Sequence, residues 1–147
     1  MKIAGIVIIV LALVVGIVPQ FTDCASQGKS LALANGNAVP MKCHWTAMAA
    51  RGMAIPLLAL GGAMTFSRRK ETQRALSVLG VALGAIVSLL PTTLIGVCAN
   101  AMMPCNNTMQ PTLILSGALI GAISLVTLVL ARKDEAQPVL PAMGQPA

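Results

Sequence analysis

The sequence predicts an all-α membrane protein: four transmembrane helices, in two tandem hairpins, carrying two disulfide-linked exterior loops. Three observations predict it. The chain is 56% apolar and only 10% charged, with a mean hydropathy of +0.84, which is too oily for a water-exposed globule of this size. Its apolar residues gather into four runs, each near the roughly 20 helical residues that cross a hydrocarbon core of about 30 Å. Its four cysteines, Cys24, Cys43, Cys98 and Cys105, all fall in the polar segments on one side of those runs.

The four helices are expected at about 3–19, 47–66, 75–97 and 112–131. Lys2 followed by an apolar run also fits the start of a signal peptide, but no small-residue cleavage site follows closely, and the first helix is expected to be retained. Seven basic residues (Lys2, Arg68, Arg69, Lys70, Arg74, Arg132 and Lys133) flank the runs on one side, and three (Lys29, Lys42 and Arg51) on the other. By the positive-inside rule this places both termini and the loop 67–74 in the cytoplasm, and loops 20–46 and 98–110 outside the cytoplasmic membrane. The tail 134–147, rich in Pro, Ala and Gln, reads as a disordered cytoplasmic end. The net charge of +6 is spent flanking lipid, and no soluble surface remains to carry a nucleic-acid interface.

Similar punctuation recurs in each half. Pro19 and Cys24 leave the first helix, and Met41, Cys43 and Thr46 enter the second; Pro91 and Cys98, then Met103, Cys105 and Thr108, repeat that order. The shared pattern M-x-C-x-x-T, "MKCHWT" against "MPCNNT", reads as a duplicated two-helix hairpin. G-x-x-x-G spacings at Gly80/Gly84 and Gly117/Gly121 fit close helix contacts in a compact bundle.

An even set of cysteines in an oxidising compartment points to disulfides. Two of the three pairings respect the repeat: within each loop (24 with 43, 98 with 105) or between loops (24 with 105, 43 with 98). Pairing within loops is favoured, because duplication would copy such a bond intact. Thiol exchange is the redox alternative, and it lacks the short C-x-x-C spacing that makes a disulfide readily exchanged.

The stretch 41–48, "MKCHWTAM", holds the only His and the only Trp. His44, with Met41, Met102, Met103 and Met109, is a soft-ligand set of the kind that takes copper(I), an alternative cofactor in a chain otherwise expected to carry none. Trp45 fits the headgroup level of a membrane, wet at its N–H and buried at its ring. Arg51 falls about one turn inside the second helix, where it snorkels outward, pairs with Asp23, or contacts a lipid phosphate or partner protein.

At "MKCHWTAMA" together with the second "MPC" loop, the chain resembles the bacterial membrane family labelled domain of unknown function 4418, over nearly its whole length to Lys133. The resemblance implies a four-helix cytoplasmic-membrane protein working beside ABC-type transporter components, and it carries no catalytic residue over. No catalytic triad, phosphate loop or carboxylate pair is present among the chain's four acids. The expected function is therefore a non-enzymatic accessory or scaffold subunit, with metal binding and thiol redox chemistry as alternatives.

Overall fold

The architecture is that of a computed structural model, which describes residues 2–26, 28–67, 69–98, 100 and 102–136. Four long helices dominate it: α1 (Lys2–Thr22), α2 (Lys42–Phe66), α3 (Lys70–Leu89) and α4 (Gln110–Ala136). Together with the turns that extend them, all four are long and apolar enough to cross a membrane. Well under half of the most apolar stretch of each is buried inside the bundle. The rest, including Ile3, Ile55, Phe66 and Leu115, points outward. Apolar side chains covering the outside of a bundle cost free energy in water and none in lipid, so this exterior suits a lipid bilayer.

The helices associate as two hairpins. Gly5 of α1 lies so close to α2 that an added Cβ would meet the Thr65 hydroxyl and come within 2.9 Å of the Gly61 carbonyl. Gly84 of α3 faces Gly117 and Gly121 of α4, where a Cβ would stand 2.7 Å from the Gly117 oxygen and from the Gly121 nitrogen. Small residues set these distances because lipid supplies no hydrophobic drive for helices to pair; close backbone packing must do it. Both G-x-x-x-G motifs thus meet in a single interface.

Several boundaries differ from those expected. The second helix starts at Lys42 instead of 47, because the Met41 carbonyl accepts the His44 N–H (3.0 Å) and begins the helix on polar residues that a hydropathy count passes over. Its path continues through Pro56 to Phe66. The third helix starts at Lys70, so the basic connection is three residues, 67–69, with the helix-favouring "KETQR" carried into α3.

At its other end α3 stops at Leu89. Pro91 removes one backbone N–H, and a π-helical turn over Leu90–Leu94 follows, with the Ile95 and Gly96 amides both bonded to the Leu90 carbonyl at 3.2 Å. Gly96, at φ 82°, then turns the chain out of the helix. A second π-helical turn, Cys105–Met109, leads directly into α4, so half of the expected loop 98–110 is helical.

The all-α expectation also needs one amendment. The segment between α1 and α2 holds a short antiparallel ladder of β1 (Leu31–Ala32) and β2 (Ala38–Val39), turned through Gly36 at φ 77°. Residues 134–136 of the expected tail belong to α4, and its remainder lies outside the described residues.

Candidate metal centre

The two chain segments that lead into α2 and α4 end the same way. In the first, the Met41 carbonyl accepts the His44 N–H; in the second, the Met103 carbonyl accepts the Asn106 N–H, also at 3.0 Å. Each M-x-C therefore folds as one tight turn at a helix start. The cysteine sits in the first turn of α2 or of the π-helical turn before α4.

Cys24 and Cys98 arrive from the other side, from the segments that leave α1 and the first π-helical turn. The turn that carries Cys24 is closed by its carbonyl, which accepts the Lys29 N–H at 2.9 Å. The Cys98 side is tied down by Thr46, fully buried in α2, whose hydroxyl donates to the Gly96 carbonyl at 2.7 Å. The matching Thr108 is exposed, so the M-x-C-x-x-T repeat is equivalent at Met and Cys and divergent at Thr.

The four sulfurs converge. All lie within 4.8 Å of one another; Cys24 is 3.5 Å from Cys105 and 3.9 Å from Cys98, and Cys98 is 3.7 Å from Cys43. Cys24, Cys43 and Cys105 are buried, and Cys98 is partly open. The expected disulfide-linked loops are not what these distances describe: a disulfide brings its sulfurs to about 2 Å, and all four cysteines are free. The physical reason is that each loop returns close to its own start and also reaches the other, so both loops deliver their sulfurs to one place between the hairpins.

That spacing has a specific meaning. Four thiolates about 2.3 Å from one tetrahedral ion stand about 3.8 Å from each other, the edge of the tetrahedron. Three of the approaches, at 3.5, 3.7 and 3.9 Å, bracket that value. Burial pushes the Cys24 thiol well above its ordinary range, and the neighbouring Cys43 and Cys105 push it the same way. Burial also raises Cys98, but hydrogen bonds from Cys43 and Cys24 outweigh this and hold it below the ordinary thiol value. A cluster in which one sulfur ionises readily and its neighbour resists is what crowded thiols without a counter-ion must do; a cation at the centre reverses the penalty.

The acid and the imidazole next to these cysteines pair with each other. Asp23, 7% exposed, holds His44 Nδ1 at 3.1 Å and accepts the Ser26 N–H at 2.9 Å. Burial acts to raise the Asp23 carboxyl, but the bonds from Ser26 and His44 prevail and hold it below its ordinary 3.8. Asp23, considered as a partner for Arg51, is thus bonded to His44 and Ser26, and Arg51 lies exposed on α2. Trp45 is 59% exposed, edge-on to His44 with ring centroids 6.1 Å apart.

Of the methionine and histidine set expected for copper, Met41 places its sulfur 3.9 Å from Cys98. Met103 and Met109 pack in the same apolar core as the cysteines, Met102 is 92% exposed, and His44 pairs with Asp23. The donors the sequence reading reserved for disulfides are the ones that come together.

The sequence profile of the family described as domain of unknown function (DUF4418) matches residues 3–130. The chain belongs to this family. The match runs from the start of α1 almost to the end of α4, so the four helices and all four cysteines are within the DUF4418 region. Comparison with curated proteins and with solved structures returns no match.

Proposed function

We propose that this DUF4418 protein is a multi-pass membrane protein whose four cysteines hold one zinc-class ion, and that it serves without catalysis as an accessory or scaffold subunit of a membrane complex, of which an ABC-type transporter is the leading candidate. The observation that carries the metal reading is the convergence of four sulfurs, two from each hairpin, at the edge lengths of a tetrahedral thiolate site. Four-sulfur tetrahedra suit zinc, closed to water and without an open position for substrate, which is the form of a structural centre. The ion would tie the two hairpins together at the end of the bundle where the glycine contacts do not reach.

The cysteine end faces the outside of the cytoplasmic membrane in this proposal, since seven of the ten basic residues flank the opposite end. There the segment 28–40, exposed throughout and bearing Leu31, Leu33 and Val39, offers a partner its surface.

The test is the metal content of protein purified in mild detergent under reducing conditions. One zinc per chain is expected, with cobalt(II) in its place giving the thiolate charge-transfer and ligand-field bands of a tetrahedral sulfur site, and with C43S/C105S binding neither. Four reactive thiols with no uptake of zinc or cobalt would overturn the metal reading. Copurification of a partner in the same detergent tests the accessory role; a protein that always isolates alone refutes it.

A further inference from the structure

The sulfurs of the four cysteines can be grouped into two couples that use each residue once: Cys24 with Cys105 at 3.5 Å, and Cys43 with Cys98 at 3.7 Å. Both couples cross from one hairpin to the other. We infer that the metal centre doubles as a thiol switch: a two-electron oxidant such as hydrogen peroxide joins Cys43 to Cys98 and Cys24 to Cys105, and the ion leaves. The inference rests on the metal reading above and adds to it the pairing, the trigger and the order of events.

The order follows from access. Cys24, Cys43 and Cys105 are buried, and Cys98 is the partly open member of the cluster. Exposure is what selects one sulfur of such a cluster for oxidation. Cys98 sulfur attacks one peroxide oxygen, the O–O bond breaks, and the departing hydroxide takes up one proton to leave as water, giving a sulfenic acid. The Cys43 sulfur, 3.7 Å away, then attacks that sulfur; the S–O bond breaks, a second water leaves, and the first disulfide is made.

An ion that has lost two of its four thiolates is held far less tightly, and its departure opens Cys24 and Cys105 to a second peroxide. The total is four thiolates, two peroxides and four protons giving two disulfides, four waters and the free divalent ion; the sulfurs give up four electrons and the peroxide oxygens receive them. Every member of the cluster ends covalently joined to the opposite hairpin, so the hairpins exchange a metal tie for two covalent ones.

The experiment is a peroxide titration of the zinc-loaded protein in detergent, read by a chromogenic zinc indicator and by peptide mapping of the disulfides, beside a chelator-treated sample. Expected are one zinc released per two peroxides, a mass lower by four hydrogens than the reduced apoprotein, linkages 24–105 and 43–98 in both samples, and recovery of zinc binding after dithiothreitol. C98S is expected to lose its zinc to peroxide at least tenfold more slowly, while C24S retains a rapid 43–98 linkage. Linkages 24–43 with 98–105, or 24–98 with 43–105, overturn the inference, as does zinc retained after all peroxide is consumed. The zinc content before oxidant is added reports on the metal reading alone, and the linkage map reports on the switch.

Discussion

His44 Nδ1 lies 3.1 Å from Asp23 Oδ2, and each residue is the sequence neighbour of a cluster cysteine, Cys43 and Cys24. The pair therefore fixes the exit of α1 to the entry of α2 beside the sulfurs, in the manner of the outer partners that orient metal ligands.

Asp23→Asn keeps the shape and removes the charge. In the reduced, metal-free protein it is expected to lower the melting temperature in detergent and to quicken alkylation of Cys24. The sign of its pH dependence follows from the carboxyl being held below its ordinary 3.8. A depressed carboxyl contributes stability that is complete above its unfolded value and disappears as pH falls through the folded one. The gap between wild type and variant should thus be full near neutral pH and close below 3.8; a gap that persists in acid would contradict the pairing.

Metal binding should have the opposite chemistry at the sulfurs. Each thiol must lose its proton to become a ligand, and Cys24 resists this most because of its burial. Apparent zinc affinity is expected to fall about tenfold per pH unit for each proton displaced. Competition with a chromogenic chelator across a pH series measures that slope, and a slope of zero would mean that thiols are not the ligands. Chelation should also lower the melting temperature of the wild type and leave that of C43S/C105S unchanged.

Gly84→Ala tests the second hairpin. Its Cβ would stand 2.7 Å from the backbone of both Gly117 and Gly121, where no flexible side chain can give way. A loss of about 1 to 3 kcal/mol is expected from the forced separation of α3 and α4. Gly62→Ala, where nothing lies within 4 Å, is the matched control and should be neutral. Unfolding midpoints in mixed detergent compare the two.

Thr46→Val removes one hydroxyl and conserves volume. The Gly96 carbonyl, which accepts that hydroxyl at 2.7 Å, would be left without it at the joint between hairpins. A cost of about 1 to 3 kcal/mol is expected. Because the same bond steadies the segment that carries Cys98, zinc should also dissociate faster; an off-rate equal to wild type would show that the joint does not act on the site.

The membrane character and the number of helices were legible in the sequence because they depend on sums: run length and hydropathy average over many residues. The glycine contacts were legible as spacings. What could not be read were the places where one backbone bond decides the outcome. Met41 starts α2 through a carbonyl, which moves Cys43 from a loop into a helix turn; Pro91 and Gly96 end α3 early and swing Cys98 across to the other hairpin.

The cysteines show the limit most clearly. Their shared side of the membrane and their repeat were visible, and both were compatible with bonds inside each loop. Only the distance between the loops separates two closed hairpins from one common cluster, and no local pattern encodes it. The Asp23 and His44 contact was missed for the same reason, although their positions beside Cys24 and Cys43 were a usable signal once the cysteines were known to meet.

Because the donors are divided two and two between the hairpins, neither half contains a complete coordination sphere. Sliding one helix pair against the other would stretch some sulfur distances and shorten others. An ion held by all four sulfurs would then feel strain along the seam as a change of its coordination geometry, and its tightness would gauge how well the two halves are seated.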